Sequence, residues 1–186
     1  MAAKSTLRNM VLCLTAVCLF CGAILGAVYA VTYEPIKAAA RKALVESISK
    51  VLPEGGDLSD VIKADGLEYY ALTENGAAKA YAVKSSTIGF GGTLSLMVGV
   101  LPDGTVYNTS VLSHSETPGL GAKCTSDKAF MAQWQGFAPD KTLKVRKDGG
   151  DVDAITASTI TSRAYTLAVE NAVNFVKSMN GGQTNE

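Results

Sequence analysis

The sequence predicts an α+β fold, an antiparallel sheet with packed helices, preceded by one N-terminal transmembrane helix. Three observations carry that expectation. No residue from Asn9 to Tyr33 is charged, two pairs of β-like runs are joined by tight-turn residues, and the C-terminal apolar residues recur at helical spacing. A chain of 186 residues suits one domain and an anchor, because the part beyond residue 33 is long enough to enclose a single hydrophobic core. The expected divisions are a tail and transmembrane anchor over 1–33, a helix and linker over 34–62, and a folded domain over 63–186.

The first element is the uncharged run. Met10 to Val31 is dominated by Val, Leu, Ala, Cys, Phe and Ile, and at about 1.5 Å per residue it spans roughly 30 Å, the thickness of a bilayer core. Tyr29 and Tyr33 suit the headgroup region, and Pro35 comes next. A cleaved signal peptide is the competitor, with Val28 and Ala30 at the small-residue positions, but its apolar core of about 7 to 15 residues is shorter than this run. An uncleaved anchor is the expectation. Lys4 and Arg8 flank one end and Lys37, Arg41 and Lys42 the other, so charge alone does not orient the segment.

The next elements come in order. Ile36 to Leu52 places Ala39, Ala40, Ala43, Leu44 and Ile48 at helical spacing, closed by Pro53 and Gly55-Gly56. Leu67 to Thr73 and Ala77 to Lys84 read as strands joined at Glu74-Asn75-Gly76, where Asn-Gly tolerates positive φ. Leu94, Leu96, Val98 and Val100 alternate with Thr93, Ser95, Met97 and Gly99, and Pro102-Asp103-Gly104 turns the chain into Thr105 to Leu112. That gives about four strands. Asp127 to Gln135 reads as a short helix, Leu143 to Arg146 as a short strand and Gly149-Gly150 as a break. Tyr165, Val169, Ala172, Val176 and Met179 share one helical face, and that helix ends near Gly181-Gly182.

Composition excludes some functions. The 17 basic and 17 acidic residues form no like-charge block, so nucleic acid is not expected as a partner. Cys13, Cys18 and Cys21 lie in the apolar run, where the Cys18–Cys21 spacing reads as small apolar residues of a helix rather than a metal site. Cys124 is the lone cysteine of the globular part, so no disulfide within the domain is expected and no metal site is predicted.

The chemistry concentrates at two places. Asp151 to Ser162 holds five Ser or Thr residues and runs straight into the amphipathic C-terminal helix. Hydroxyls there cap free backbone N–H groups, or the helix N-terminus holds an anionic phosphate; local physics leaves both open. Upstream, Gly89-Phe90-Gly91-Gly92 and His114-Ser115-Glu116-Thr117-Pro118-Gly119-Leu120-Gly121 are glycine-rich loops. They serve as turns, or they let the backbone approach a planar ring closely.

Asp153-Ala154-Ile155-Thr156-Ala157-Ser158-Thr159 resembles the motif read by the flavin transferase, typically Asp-x-x-Ser/Thr-Gly-Ala-Thr, whose last Thr bonds the FMN phosphate. Ala157-Ser158 replaces the usual Gly-Ala pair. The loops and this motif, about Gly89 to Val176, resemble the FMN-binding domain of the G subunit of the Rnf ion-translocating electron-transport complex. They are also similar to the C subunit of the sodium-pumping NADH:quinone reductase, which is longer. The resemblance implies covalent FMN on Thr159, with Thr156, Ser158, Ile160, Thr161, His114, Glu116, Thr117, Pro118, Gly119, Leu120, Gly121 and Lys123 around it. Trp134 and Phe137 resemble the family's aromatic pair and read as core. No catalytic residue is implied, since the cofactor does the redox chemistry.

The resemblance further implies an electron-transfer subunit of a complex coupling electron flow to sodium or proton movement. Its partners would be the other membrane and iron–sulfur subunits, with a flavin transferase for maturation. The domain would sit on the periplasmic, outer side of the inner (cytoplasmic) membrane. Assignment as the quinone reductase's C subunit, an FMN sensor or binding module without onward transfer, and a structural membrane protein without flavin stay open on the sequence.

Overall fold

The computed structural model describes residues 6–64 and 66–181, so Lys4 and Gly182 lie outside the described residues. The chain divides into two compact units, Met1–Ala43 and Leu44–Glu186.

In the first unit, helix α1 (Leu7–Val51) contains an 18-residue window of mean hydropathy 2.6 with none of it buried by protein. Among the described residues it is the one helix long and apolar enough to cross a membrane. The apolar run and the helix expected after Pro35 form one continuous element, which passes through that proline. Proline costs one helical hydrogen bond there, a loss that apolar helices tolerate. Thr32 Oγ1 donates to the Val28 carbonyl (2.7 Å), one turn before the proline.

The second unit begins with the last turns of α1, where Ile48, Val51 and Leu52 are buried. A sheet comes next, of β1 (Asp57–Leu58), β2 (Ile62–Ala64), β3 (Leu67–Glu74), β4 (Ala77–Ile88), β5 (Thr93–Val100) and β6 (Val106–Ser113). Its order is β1-β3-β4-β5-β6, with β2 also paired to β3, and every pairing is antiparallel. The four long strands match the two hairpins read from sequence. β1 and β2 had no readable signal, being two and three residues long.

Strand alternation sends side chains to two faces. Val83, Leu94, Leu96, Val98 and Val100 join a core with helix α3 (Thr159–Gly181), through Tyr165, Ala168, Val169, Ala172 and Val176. On the other face, Leu72, Ala80, Ala82 and Met97 meet Ile48, Val51 and Leu52. Gly99 is needed for that contact, because a Cβ there would collide with the Val51 carbonyl. The sheet is therefore covered on both faces, which explains why β5 is fully apolar on one side and tight on the other.

The stretch between β6 and α3 is mostly irregular. A 3-10 turn (Gly121–Thr125) leads into helix α2 (Lys128–Ala132), capped by Asp127, whose carboxylate accepts from the N–H groups of Ala129 and Phe130 (3.0 and 3.1 Å). Trp134 and Phe137 are buried, Trp134 stacked on Tyr165 with centroids 5.2 Å apart. The expected strand at Leu143–Arg146 is not formed. Val145 makes an isolated bridge to Val152, and Arg146–Asp148 is a 3-10 turn. Val145 and Val152 are buried without neighbouring strands to extend the ladder, so apolar residues mimic a strand signal.

Candidate functional site

The site lies where β4, the loop after β6 and the start of α3 meet. Thr87 Oγ1 donates to the Ala164 carbonyl (2.8 Å), tying the end of β4 to the second turn of α3. Ser162 fixes the approach to the helix: its Oγ accepts from the Ile155 N–H (2.9 Å) and donates to the Ser158 carbonyl (3.0 Å). Outside the cavity, Arg163 Nε and Nη2 donate to the two oxygens of Asp148 (2.7 and 2.6 Å). That guanidinium holds the Asp148 carboxyl below the ordinary aspartate range.

Glu116 is the hub. It is buried, and its carboxylate accepts from Thr161 Oγ1 (2.6 Å) in α3 and from the Gly91 N–H (3.2 Å) in the β4–β5 loop. The glycines around it have a cause other than approach to a ring. A Cβ on Gly89 or Gly121 would collide with the Glu116 carboxylate, and one on Gly91 with the Ser115 carbonyl. Gly119 is different, open on all sides but held at φ +77°. Behind this hub the Cys124 thiol is buried and pushed up to about 11, first by desolvation and then by the Glu116 charge.

These elements enclose a cavity of about 350 Å³ lined by Phe90, Glu116, Thr117, Leu120, Gly121, Ala157, Ser158, Thr159, Ile160 and Thr161. A volume of that order takes a small cofactor or the greater part of one. Its lining combines two chemistries. Phe90, Leu120 and Ile160 present exposed apolar surface. The lining also includes Thr159, Thr161 and Ser158, together with the first backbone N–H groups of α3, which a helix leaves without intrahelical partners. Three buried side-chain polar atoms among the described residues have no partner: Ser85 Oγ, Trp134 Nε1 and Ser158 Oγ. Only Ser158 lines this cavity. At the helix start its hydroxyl would be expected to cap, and it does not.

The structure thus gathers eight of the residues singled out from sequence: Glu116, Thr117, Leu120, Gly121, Ser158, Thr159, Ile160 and Thr161. Thr156, Pro118, Gly119, His114 and Lys123 stand off the cavity wall. His114 serves its own loop, its Nδ1 accepting from the Glu116 N–H (3.2 Å). Phe90 and Ala157 line the cavity and were not among the expected site residues. An aromatic set between glycines was the available signal for Phe90. Ala157 carries a left-handed backbone, φ +62°, which nothing in an alanine announces.

A cavity lined by apolar side chains and by a helix N-terminus fits FMN, whose flat ring system has an apolar dimethylbenzene edge and whose phosphate suits a helix N-terminus. Fold and site define the class, an α+β cofactor domain of the FMN-binding type: the FMN-binding domain family matches residues 89–174. The G subunit of the proton-translocating ferredoxin:NAD(+) oxidoreductase complex of Clostridium ljungdahlii is 34% identical over 172 residues, covering 91% of each chain. The G subunit of the ion-translocating oxidoreductase complex of Methanosarcina acetivorans is 32% identical, covering 86% of this chain and 90% of that one. A solved structure of the C subunit of the Na(+)-translocating NADH-quinone reductase of Parabacteroides distasonis is 24% identical and covers 60% of this chain and 61% of that one, at a TM-score of 0.45. The chain belongs to the family of G subunits of ion-translocating oxidoreductase complexes.

Proposed function

We propose that the chain is the FMN-carrying electron-transfer subunit of an Rnf-type complex, with FMN bonded through its phosphate to Thr159. The observation that supports it is the cavity itself: Thr159 is the first residue of α3 and stands on the cavity wall beside unpaired N–H groups. When bound, FMN supplies transfer of one or two electrons. The residues do the rest. The phosphoester leaves one negative charge, and the N-terminal end of α3 stabilises it. Thr161 and Glu116 lock the first turn of the helix, so the attachment point does not shift. Phe90, Leu120 and Ile160 give the ring apolar surface to lie against.

The family membership supports further parts of the reading. The partners are the other membrane and iron–sulfur subunits, and electron flow through them drives sodium or proton movement. A flavin transferase matures the chain, and the FMN domain lies on the outer side of the membrane held by α1. The test is in-gel fluorescence after denaturation, with and without the transferase. The native chain gives a fluorescent band and an intact-mass increment of FMN less one water, and Thr159→Val abolishes both. A native chain with no band, beside a control substrate that is labelled, would overturn the attachment. Electron transfer at the native rate in a complex containing Thr159→Val would overturn the relay role.

A further inference from the structure

We infer that Ser158 is a phosphate ligand: its Oγ donates a hydrogen bond to a phosphate oxygen of the flavin carried on the neighbouring Thr159. The inference rests on the FMN reading above and goes beyond it by giving a role to the residue where this chain departs from the family motif. The usual residue there is Ala, which makes no hydrogen bond. Here it is a serine, 7% exposed, on the cavity wall, with no partner for its hydroxyl.

A buried hydroxyl without a partner is destabilising, because the hydrogen bonds it made to water in the unfolded chain are not replaced. A serine at this position has a ready local solution, accepting from a backbone N–H two or three residues on. The hydroxyl leaves that bond unmade. Among the described residues no protein acceptor lies within hydrogen-bond distance of it. The Ser158 carbonyl is taken by the Ser162 N–H and Oγ. A hydroxyl in that state needs an acceptor that arrives from the cavity. The N–H groups of Thr159, Ile160 and Thr161 stand in the same first turn, and they select an anion. A phosphate held by Thr159 supplies oxygens adjacent to both sets of donors. Ser158 is a binding residue in this scheme and takes no part in bond formation.

The experiment compares the full chain in detergent micelles, produced with and without the flavin transferase, as Ser158 and as Ser158→Ala. Melting curves read the effect, and intact mass reads the loading of each sample. In the unloaded chain Ser158→Ala removes an orphaned hydroxyl, so the midpoint rises, by about 3 °C for a domain of this size. In the loaded chain the same substitution removes a ligand from the phosphate, so the midpoint falls by a similar amount. The change of sign is what a merely structural serine would not give. Shifts in the same direction in both forms overturn the contact while leaving the covalent flavin in place. A native chain that shows no added mass overturns the attachment and the contact with it, and the mass spectrum separates that case from the first.

Discussion

Two non-glycine residues among those described hold a left-handed backbone, and they do so in opposite settings. Asn75 (φ +54°) stands in the β3–β4 turn, followed by Gly76 (φ +81°). Ala157 (φ +62°) stands on the cavity wall before Ser158 and Thr159. At the turn the residue types agree with the backbone, since asparagine and glycine accept positive φ readily. At the site they disagree, and an unpartnered hydroxyl lies next to the disagreement. A region that serves the fold satisfies local rules; a region that serves a ligand departs from them, and the surrounding structure holds the departure in place.

The largest way to probe that contrast is to add one carbon atom in each region. Gly91→Ala would drive a Cβ into the Ser115 carbonyl, which is backbone and cannot rotate away. We expect a loss of about 3 kcal/mol or more by denaturant melts. Gly76→Ala meets nothing within 4 Å, so its cost is the backbone penalty alone, about 1 kcal/mol. Equal losses at the two positions would break the comparison, because the site would then be no more tightly packed than an open turn.

A smaller effect separates the regions by pH. The Cys124 thiol, behind Glu116, has a pKa of about 11 in the folded chain against an ordinary 9.0. Between those values the unfolded chain has released a proton that the native chain keeps, so stability falls as pH rises. The stabilisation is whole below pH 9 and lost by the time the folded thiol ionises. Cys124→Ala should flatten the decline between pH 9 and 11, and the chain as a whole will still lose stability there, because burial also raises Tyr165 and Tyr81. A decline of unchanged slope in Cys124→Ala would remove the thiol from the account.

What could be read from the sequence divides along the same line. The hairpins and the α3 face follow from periodicity and turn residues, which act within a few positions of each other, and the burial of Trp134 and Phe137 from their aromatic character. The motif at Thr159 was legible only as resemblance, since local physics offered capping and phosphate binding alike. Glu116 as the meeting point of three segments was not legible. Its partners Gly91 and Thr161 are 25 and 45 residues away in the chain, and no spacing rule connects them. The strand expected at Leu143–Arg146 failed for a different reason: Val145 is buried and forms an isolated bridge to nearby Val152, so apolar residues there did not signal an extended ladder.

The smallest effect tests the departure itself. Glycine at position 157, the residue the family motif has there, removes the left-handed penalty of roughly 1–2 kcal/mol for a residue with a Cβ. It also adds about 0.4–1 kcal/mol of unfolded-state entropy, which works in the opposite direction. The two leave a net gain of about 0.5–1 kcal/mol for Ala157→Gly. At the turn, Asn75→Gly should be close to neutral, because asparagine already tolerates αL and gives back little when replaced. Both variants are measured on the unloaded chain so that flavin does not enter. If Ala157→Gly is neutral or destabilising while Asn75→Gly gains, the strain lies in the hairpin and the site is the relaxed region. If only Ala157→Gly gains, the backbone beside Thr159 holds strain that the β3–β4 turn does not.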